Sequence, residues 1–534
     1  MTKQFESDYL TGQDNVRVWG MDVHNPVFFV SASLILTFVI TTLLFTQTAN
    51  ELLGIARAWS LINFDGFMMI TVNGLLLFCV VLIVLPVGTI RLGGENATPE
   101  FSRLSWLAML FAAGMGIGLM FWGVAEPMAY FTGWAGTPFN VAPWSNEAAE
   151  LAMAATVYHW GLHAWAIYGV AALALAFFAY NCGLPLTLRS AFYPLLGEHC
   201  WRWPGHVIDT FAVLATMFGL ATSLGLGASQ VNAGLSLLLG VEDGFAIKLA
   251  IISVVTGIAS LSVIRGLNGG VKLLSNLNMV IAALLLLFII VVSSFPQALD
   301  WVFYTSTHYA SNFISLSDWT ARDDAQWMQD WTVFYWAWWV SWSPFVGLFI
   351  ARISKGRTVR EFLLAVLCVP TLVTIVWMSI FGMNAIAQAQ AGIGSLADGV
   401  SSISLATFQM LENLPMAELT TSVGIVLVLI FFITSSDSGS MVIDSITAGG
   451  KFDSPIPQRI FWVVLQGLIA SVLLYGGGKD ALSALQAGTI ITGIPFTLVL
   501  IFVSFSLLKG LLSYHKASHR RSHTINRSPS TKAG

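Results

Sequence analysis

The residues of this sequence best suited to chemistry are gathered in "DWTVFYWAWWVSWSPF", positions 330 to 345, which holds five tryptophans, one tyrosine and two phenylalanines. On a helix, Trp331, Tyr335, Trp338 and Trp342 follow i, i+4, i+7, i+11 spacing and share one face, with Trp339 beside them. Indole faces attract a cation that has no hydrogen bond to donate, each contributing about 0.5–1 kcal/mol and ~2 kcal/mol when dry. A quaternary ammonium or a sulfonium is the ligand such a box would hold. Aromatic residues near the end of a membrane span also form an interfacial belt, which accounts for Trp331, Tyr335 and Trp336. It does not account for Trp338, Trp339 and Trp342, which lie deeper, just ahead of Pro344, where the loss of a helical hydrogen bond should break the helix.

A second aromatic set occurs in "YHWGLHAWAIY", positions 158 to 168, where Trp160, Trp165 and Tyr168 share an arc of a helix and offer a facing wall. His159 and His163 are four apart, but no HExxH glutamate and no third ligand accompanies them. A hydrogen-bonded helix contact is the plainer reading, with a proton role as the alternative.

Backbone chemistry is suggested by "FAAGMGIGLMFWGVAEPMAYF", positions 111 to 131, with Gly114, Gly116, Gly118 and Gly123 close together. Each glycine costs a helix about 1 kcal/mol relative to alanine, so the helix should unwind here. A nucleotide loop is excluded, because no soluble strand precedes it and no GKS/T follows. Close packing of small residues is one reading. The other is a discontinuous membrane helix whose freed carbonyls and amides around Gly114, Met115, Gly116 and Gly118 bind an ion or substrate. The Pro344 interruption, five spans later, favours the second, since paired broken spans in two five-helix halves point to an inverted-repeat secondary transporter.

Hydroxyls and a carboxylate appear in "FFITSSDSGSMVIDSITAGG", beginning at Phe431. Thr434, Ser435 and Ser436, with carbonyls of an unwound helix, suit a small hard cation such as sodium. The same hydroxyls can instead bond back to their own helix. Asp437 is expected to pair internally and lock this helix to a neighbour.

Holding these groups in place takes a membrane. Of 534 residues, 56% are hydrophobic and 10% charged, against about 25% charged in soluble domains; the mean hydropathy is +0.76. Apolar runs long enough to cross a bilayer, ~20 residues each, begin near Pro26, Phe67, Leu104, Ala149, Val207, Phe245, Val271, Trp331, Phe362, Leu419, Ile460 and Leu482. The expectation is an all-α polytopic protein of twelve transmembrane helices. With both termini inside, only Arg57, Lys248, Arg322 and Lys479 among the Lys and Arg residues fall outside, as the positive-inside rule requires.

The expected organisation is a cytoplasmic segment over 1–25, two peripheral helices in 26–102, a first repeat over 103–295, an external loop over 296–330, a second repeat over 331–510 and a basic cytoplasmic tail over 511–534. The outer loops 296–330 and 389–418 are acidic and should carry short amphipathic helices. The tail is too polar to fold alone; it reads as a topology signal or as a sensor of anionic lipid. Cys79, Cys182, Cys200 and Cys368 are scattered singly and read as free thiols. No cleavable signal is evident, so the first membrane helix should direct insertion. Nothing suggests nucleic acid or a cofactor beyond a coupling ion.

Taken together, "DWTVFYWAWW" and the continuing "SWSPFVGLFIARISKGRTVREF" resemble the betaine/choline/carnitine transporter family, with the likeness running from about Asn25 to Lys509. The resemblance implies a LeuT-like core of 5+5 helices in inverted repeats, preceded by two extra helices and commonly assembled as a homotrimer in the bacterial inner membrane. It implies an aromatic box at Trp160, Trp165, Tyr168, Trp338, Trp339 and Trp342. It implies a sodium site from carbonyls of Ala112, Met115 and Phe431 with hydroxyls of Thr434 and Ser435. Gly118 matches the family's betaine carriers, at a place where its proton-coupled choline carriers tend to have an acidic residue. A second ion site in the family uses two threonines and a phenylalanine. Thr216 and Phe345 are present here, but Leu220 stands where the second threonine would be.

The reading that follows is sodium-coupled import of a small onium zwitterion, a compatible solute such as glycine betaine, with dimethylsulfoniopropionate next. A proton-coupled choline or carnitine carrier is the first alternative, and a membrane sensor of onium ligands the second. A membrane enzyme would need a catalytic constellation and a primary pump a Walker loop, and the sequence has neither.

Overall fold

A computed structural model describes residue 5 and residues 7–114, 116–265, 271–478 and 481–525. The chain opens with a hairpin, β1 (Asn15–Val18) and β2 (Met21–His24), paired antiparallel from Asn15↔His24 to Val18↔Met21. Its turn holds Trp19 and Gly20 at φ 50° and 75°, the twist that suits a two-residue connection. The all-α expectation misses this hairpin, because four-residue strands are too short to show a period.

Helices follow as α1 (Val27–Leu44), α2 (Thr46–Val84), α3 (Arg103–Gly114), α4 (Ile117–Thr132), α5 (Asn146–Trp160), α6 (Leu162–Tyr180), α7 (Tyr193–Leu196), α8 (Trp203–Leu239) and α9 (Phe245–Arg265). The remainder are α10 (Val271–Val292), α11 (Phe295–Ser317), α12 (Ala325–Trp327), α13 (Phe334–Ile353), α14 (Val359–Gln390), α15 (Ala406–Glu412), α16 (Ala417–Thr447), α17 (Ile456–Gly477) and α18 (Ala481–Ile525). Among the described residues, 11 stretches are long and apolar enough to cross a membrane. Leu34, Leu43, Leu261, Leu284 and Val291 face outward, where lipid supplies the contact they lack within the chain. This is a multi-pass helical membrane protein.

Where the third span is expected the chain forms two shorter helices, α3 and α4, parted at Gly116, whose backbone is extended (φ −153°, ψ −178°). Other expectations need correction. Pro344 does not break its helix: α13 continues to Ile353. Proline leaves the carbonyl four residues back without its donor, and Ser343 Oγ supplies one to Val340 at 2.7 Å. The irregular turn lies upstream, a π-helical stretch over Met328–Val333. The fourth span is interrupted at Gly161 (φ −99°, ψ −134°), so Trp160 ends α5 while Trp165 and Tyr168 sit on α6.

The second span begins at Thr46, well before Phe67, and α18 carries the first part of the basic tail as helix to Ile525. Extending an existing helix has no nucleation cost, so polar sequence joined to an apolar span stays helical. The segment after α10 carries α11, 23 residues long, with Trp301 and Tyr309 buried and Phe303 and Ile314 exposed. In the bundle α13 lies along α6 and also meets α8 and α18, while α16 packs on α8 and α10. Between them is the cavity.

Candidate functional site

The cavity has a volume of about 200 Å³, below the ~300–1,000 Å³ of sites for drug-sized ligands. Trp160, Trp165, Tyr168, Trp338, Trp339 and Trp342 all line it. Among the described residues no charged side chain does. The Trp338 and Trp339 rings are stacked at 5.6 Å and 17°. Trp160 meets them nearly at right angles, 6.0 Å from Trp338 and 4.8 Å from Trp339. Tyr168 stands at 87° to Trp339 and 79° to Trp165. Rings at right angles close the corners of a box.

The break between α3 and α4 brings backbone against this box, since Gly116 and Gly118 also line the cavity. A Cβ on residue 118 would lie 2.3 Å from the Trp160 ring, so the indole occupies the space any side chain there would need. Gly114 ends α3 and Ala112 lies in its last turn. Met115 lies outside the described residues.

The facing wall is α16, from which Phe431, Thr434, Ser435 and Ser438 reach the same cavity. Thr434 Oγ1 donates back to the Ile430 carbonyl at 2.9 Å and lies 3.2 Å from that of Phe431, the self-bonded alternative. Asp437 accepts from Ser262 Oγ at 2.8 Å and ties α16 to α9, as its lone carboxylate suggested. Phe345 lines the cavity, while Thr216 is buried on α8 with an unpartnered hydroxyl. Leu220 packs against Gly439, where a Cβ would come within 2.4 Å of its methyl. An apolar contact between α8 and α16 therefore stands in the place of the second threonine.

Residues 26–516 match the betaine/carnitine/choline family transporter, BCCT. The chain belongs to the BCCT family. Similar proteins include a glycine betaine/proline/choline/ectoine transporter of Vibrio parahaemolyticus, 56% identical over 507 residues, covering 95% of this chain and 90% of that one. Glycine betaine transporter 1 of the same organism is 56% identical over 508 residues, covering 95% and 97%. A glycine betaine/proline/choline transporter, also from that organism, is 49% identical over 532 residues, covering 96% and 95%. This BCCT protein is a transporter and not an enzyme.

Two features of this BCCT site escape a reading of the sequence. Trp331, Tyr335 and Trp336 form no lipid-facing belt: they are 4%, 0% and 0% exposed. Trp331 packs edge-on against Tyr130 at 4.8 Å, and Trp336 Nε1 lies 3.2 Å from Met69 Sδ. Neighbouring helices cover this end of α13, so protein takes the place expected for headgroups. The other feature is Glu126, fully buried on α4 and within hydrogen-bond distance of Trp160 and Tyr335. Its signal was a lone carboxylate in the apolar run "FWGVAEPMAYF". His159 and His163 are helix contacts, to Thr332 and Glu126 and to Asn73 respectively. The described residues contain no cluster of three or more His, Cys, Asp or Glu able to hold a metal.

Proposed function

We propose that this protein is a secondary active transporter that imports a small onium zwitterion, glycine betaine first, coupled to sodium and working by alternating access. The proposal includes a twelve-helix membrane domain with a 5+5 inverted-repeat core, a homotrimer in the bacterial inner membrane, and both termini in the cytoplasm. One observation carries it: six aromatic residues, several meeting at right angles, around an uncharged cavity of about 200 Å³. Such a box favours a cation that needs no acceptor. The relatives' names, which include glycine betaine, proline, choline and ectoine, support the substrate class.

In this reading the onium group enters the box, and the substrate carboxylate meets backbone amides freed at the α3–α4 break beside Gly116 and Gly118. Sodium is taken up by Thr434 and Ser435 with carbonyls of Phe431, Ala112 and Met115. With Leu220 packed on Gly439, a second ion at Thr216 and Phe345 is not part of the proposal. Gly118 in contact with the Trp160 ring also disfavours an acidic residue's route to proton coupling.

The test is uptake of labelled glycine betaine into proteoliposomes under a sodium or a proton gradient. Sodium-driven uptake supports the proposal. Proton-driven uptake, with choline or carnitine preferred, replaces it with the alternative, and betaine binding without betaine flux under either gradient overturns it. Competition by dimethylsulfoniopropionate ranks the sulfonium against the ammonium.

A further inference from the structure

Behind the aromatic box lies a carboxylate that does not line the cavity. Glu126 is fully buried within α4, and an ionisable side chain at membrane depth is costly enough to imply a function. Its Oε1 lies 3.0 Å from the Tyr130 hydroxyl and 2.7 Å from His159 Nδ1. Its Oε2 lies 2.7 Å from Trp160 Nε1 and 2.5 Å from the Tyr335 hydroxyl. An indole N–H only donates, and an ionised carboxylate only accepts. Four contacts converge on its two oxygens, and an ionised carboxylate accepts all four.

His159 Nε2 meets the Thr332 hydroxyl at 2.9 Å. A neutral imidazole that donates from Nδ1 and accepts from Thr332 satisfies both contacts, a tautomer assigned from its partners. Every donor to Glu126 is then neutral, and no Lys or Arg among the described residues pairs with it. In that tautomer His159, 2.7 Å away, leaves the charge of the carboxylate unbalanced.

We propose that Glu126 is the positioning and charging group of the aromatic box: it fixes the Trp160 indole, and its charge is balanced by the onium group of the ligand. This rests on the onium reading of the cavity. Two physical effects follow. A carboxylate on the indole N–H makes a charge-assisted bond and pushes electron density into the ring whose face the cation meets. The same charge lies one ring away from the cavity, in surroundings that screen it poorly. Positioning is shared, because Trp339 Nε1 donates to the carbonyl of His159 at 2.8 Å, so both members of the edge-to-face pair are tethered to one network.

The experiment compares glycine betaine with its carbon isostere tert-butylacetate, in which an uncharged group of the same shape replaces trimethylammonium. Binding to the full-length protein in nanodiscs is followed by tryptophan fluorescence, with the isostere measured by competition. A wild-type protein that shows no preference for betaine sinks the onium reading itself, whatever Glu126 does. Given that preference, Glu126→Gln is expected to raise the betaine Kd about tenfold or more and to change the isostere Kd less than about twofold. Equal losses for both ligands would reduce Glu126 to a scaffold for Trp160, and unchanged betaine binding would remove it from the site; either result overturns the proposal. Should Glu126→Gln not fold, Tyr335→Phe decides the matter. It deletes one neutral donor and leaves the charge, so the ratio of the two Kd values holds or widens, and a ratio collapsing toward unity overturns the proposal.

Discussion

On one side of the cavity Trp160 donates to Glu126 and Trp339 to the His159 carbonyl, so two rings of the box are held by bonds outside it. On the other side Thr434 returns its hydroxyl to the carbonyls of its own helix. The aromatic wall is held by bonds to protein, and binding there loses little side-chain entropy. The hydroxyl wall keeps its hydrogens on helix carbonyls and offers an ion only the oxygen lone pairs left over. In the proposed reading the tethered rings hold the substrate and the hydroxyls hold the coupling ion.

The largest expected effect comes from breaking the aromatic wall. Trp339→Leu removes the ring that Trp160 and Tyr168 both meet, and should weaken glycine betaine binding at least about thirtyfold. Helical content by circular dichroism should not change. A loss under about threefold would place the ligand elsewhere.

Next is the hydroxyl wall. Thr434→Val should raise the sodium concentration for half-maximal uptake about tenfold, with betaine affinity at saturating sodium preserved. Sodium dependence identical to wild type would exclude Thr434 as an ion ligand.

A smaller effect on binding marks where the box ends. Trp331→Leu leaves a void beside Tyr130 and should lower stability by roughly 2–4 kcal/mol, read as a fall in Tm, while the betaine Kd stays within about twofold. A large affinity loss would extend the box to this residue.

The smallest lies far from both walls, at the hairpin, which docks through Gly12 N to the Gly449 carbonyl and Lys451 Nζ to Asp22. Burial first, then Arg189 and His206, push His24 down to about 3 from 6.5, and Arg189 Nη1 lies 2.9 Å from its Nε2. The undocked hairpin takes a proton on His24 below the unperturbed value and the docked one does not, so docking weakens as pH falls from 6.5 toward about 3. Proteolysis of residues 7–24 should therefore speed up across that window, and His24→Phe should flatten the dependence. Betaine binding is not expected to follow it.

Much of the candidate site was legible because its signals are local. Indoles at 338, 339 and 342, glycines at 116 and 118, and hydroxyls at 434 and 435 all converge on one cavity. The failures share a cause as well. Pro344 reads as a break because the compensating Ser343 bond depends on a rotamer. Gly161 reads as an ordinary helix residue because one glycine in an apolar run is usually tolerated. Trp331 reads as a belt because only packed neighbours distinguish a headgroup from a protein interior.

Residue types and their short-range spacing establish that this chain crosses a bilayer many times and that its helices carry aromatic, glycine-broken and hydroxyl-bearing stretches, because hydropathy, backbone propensity and side-chain chemistry are properties of neighbours in the chain. Tertiary packing alone settles which of those stretches meet. Glu126 reaches Trp160 across 34 residues and Tyr335 across 209, and no periodicity encodes a bond between helices so far apart. A buried carboxylate keeps its charge only where folded partners stand ready to solvate it, so its place behind the box emerges with the fold.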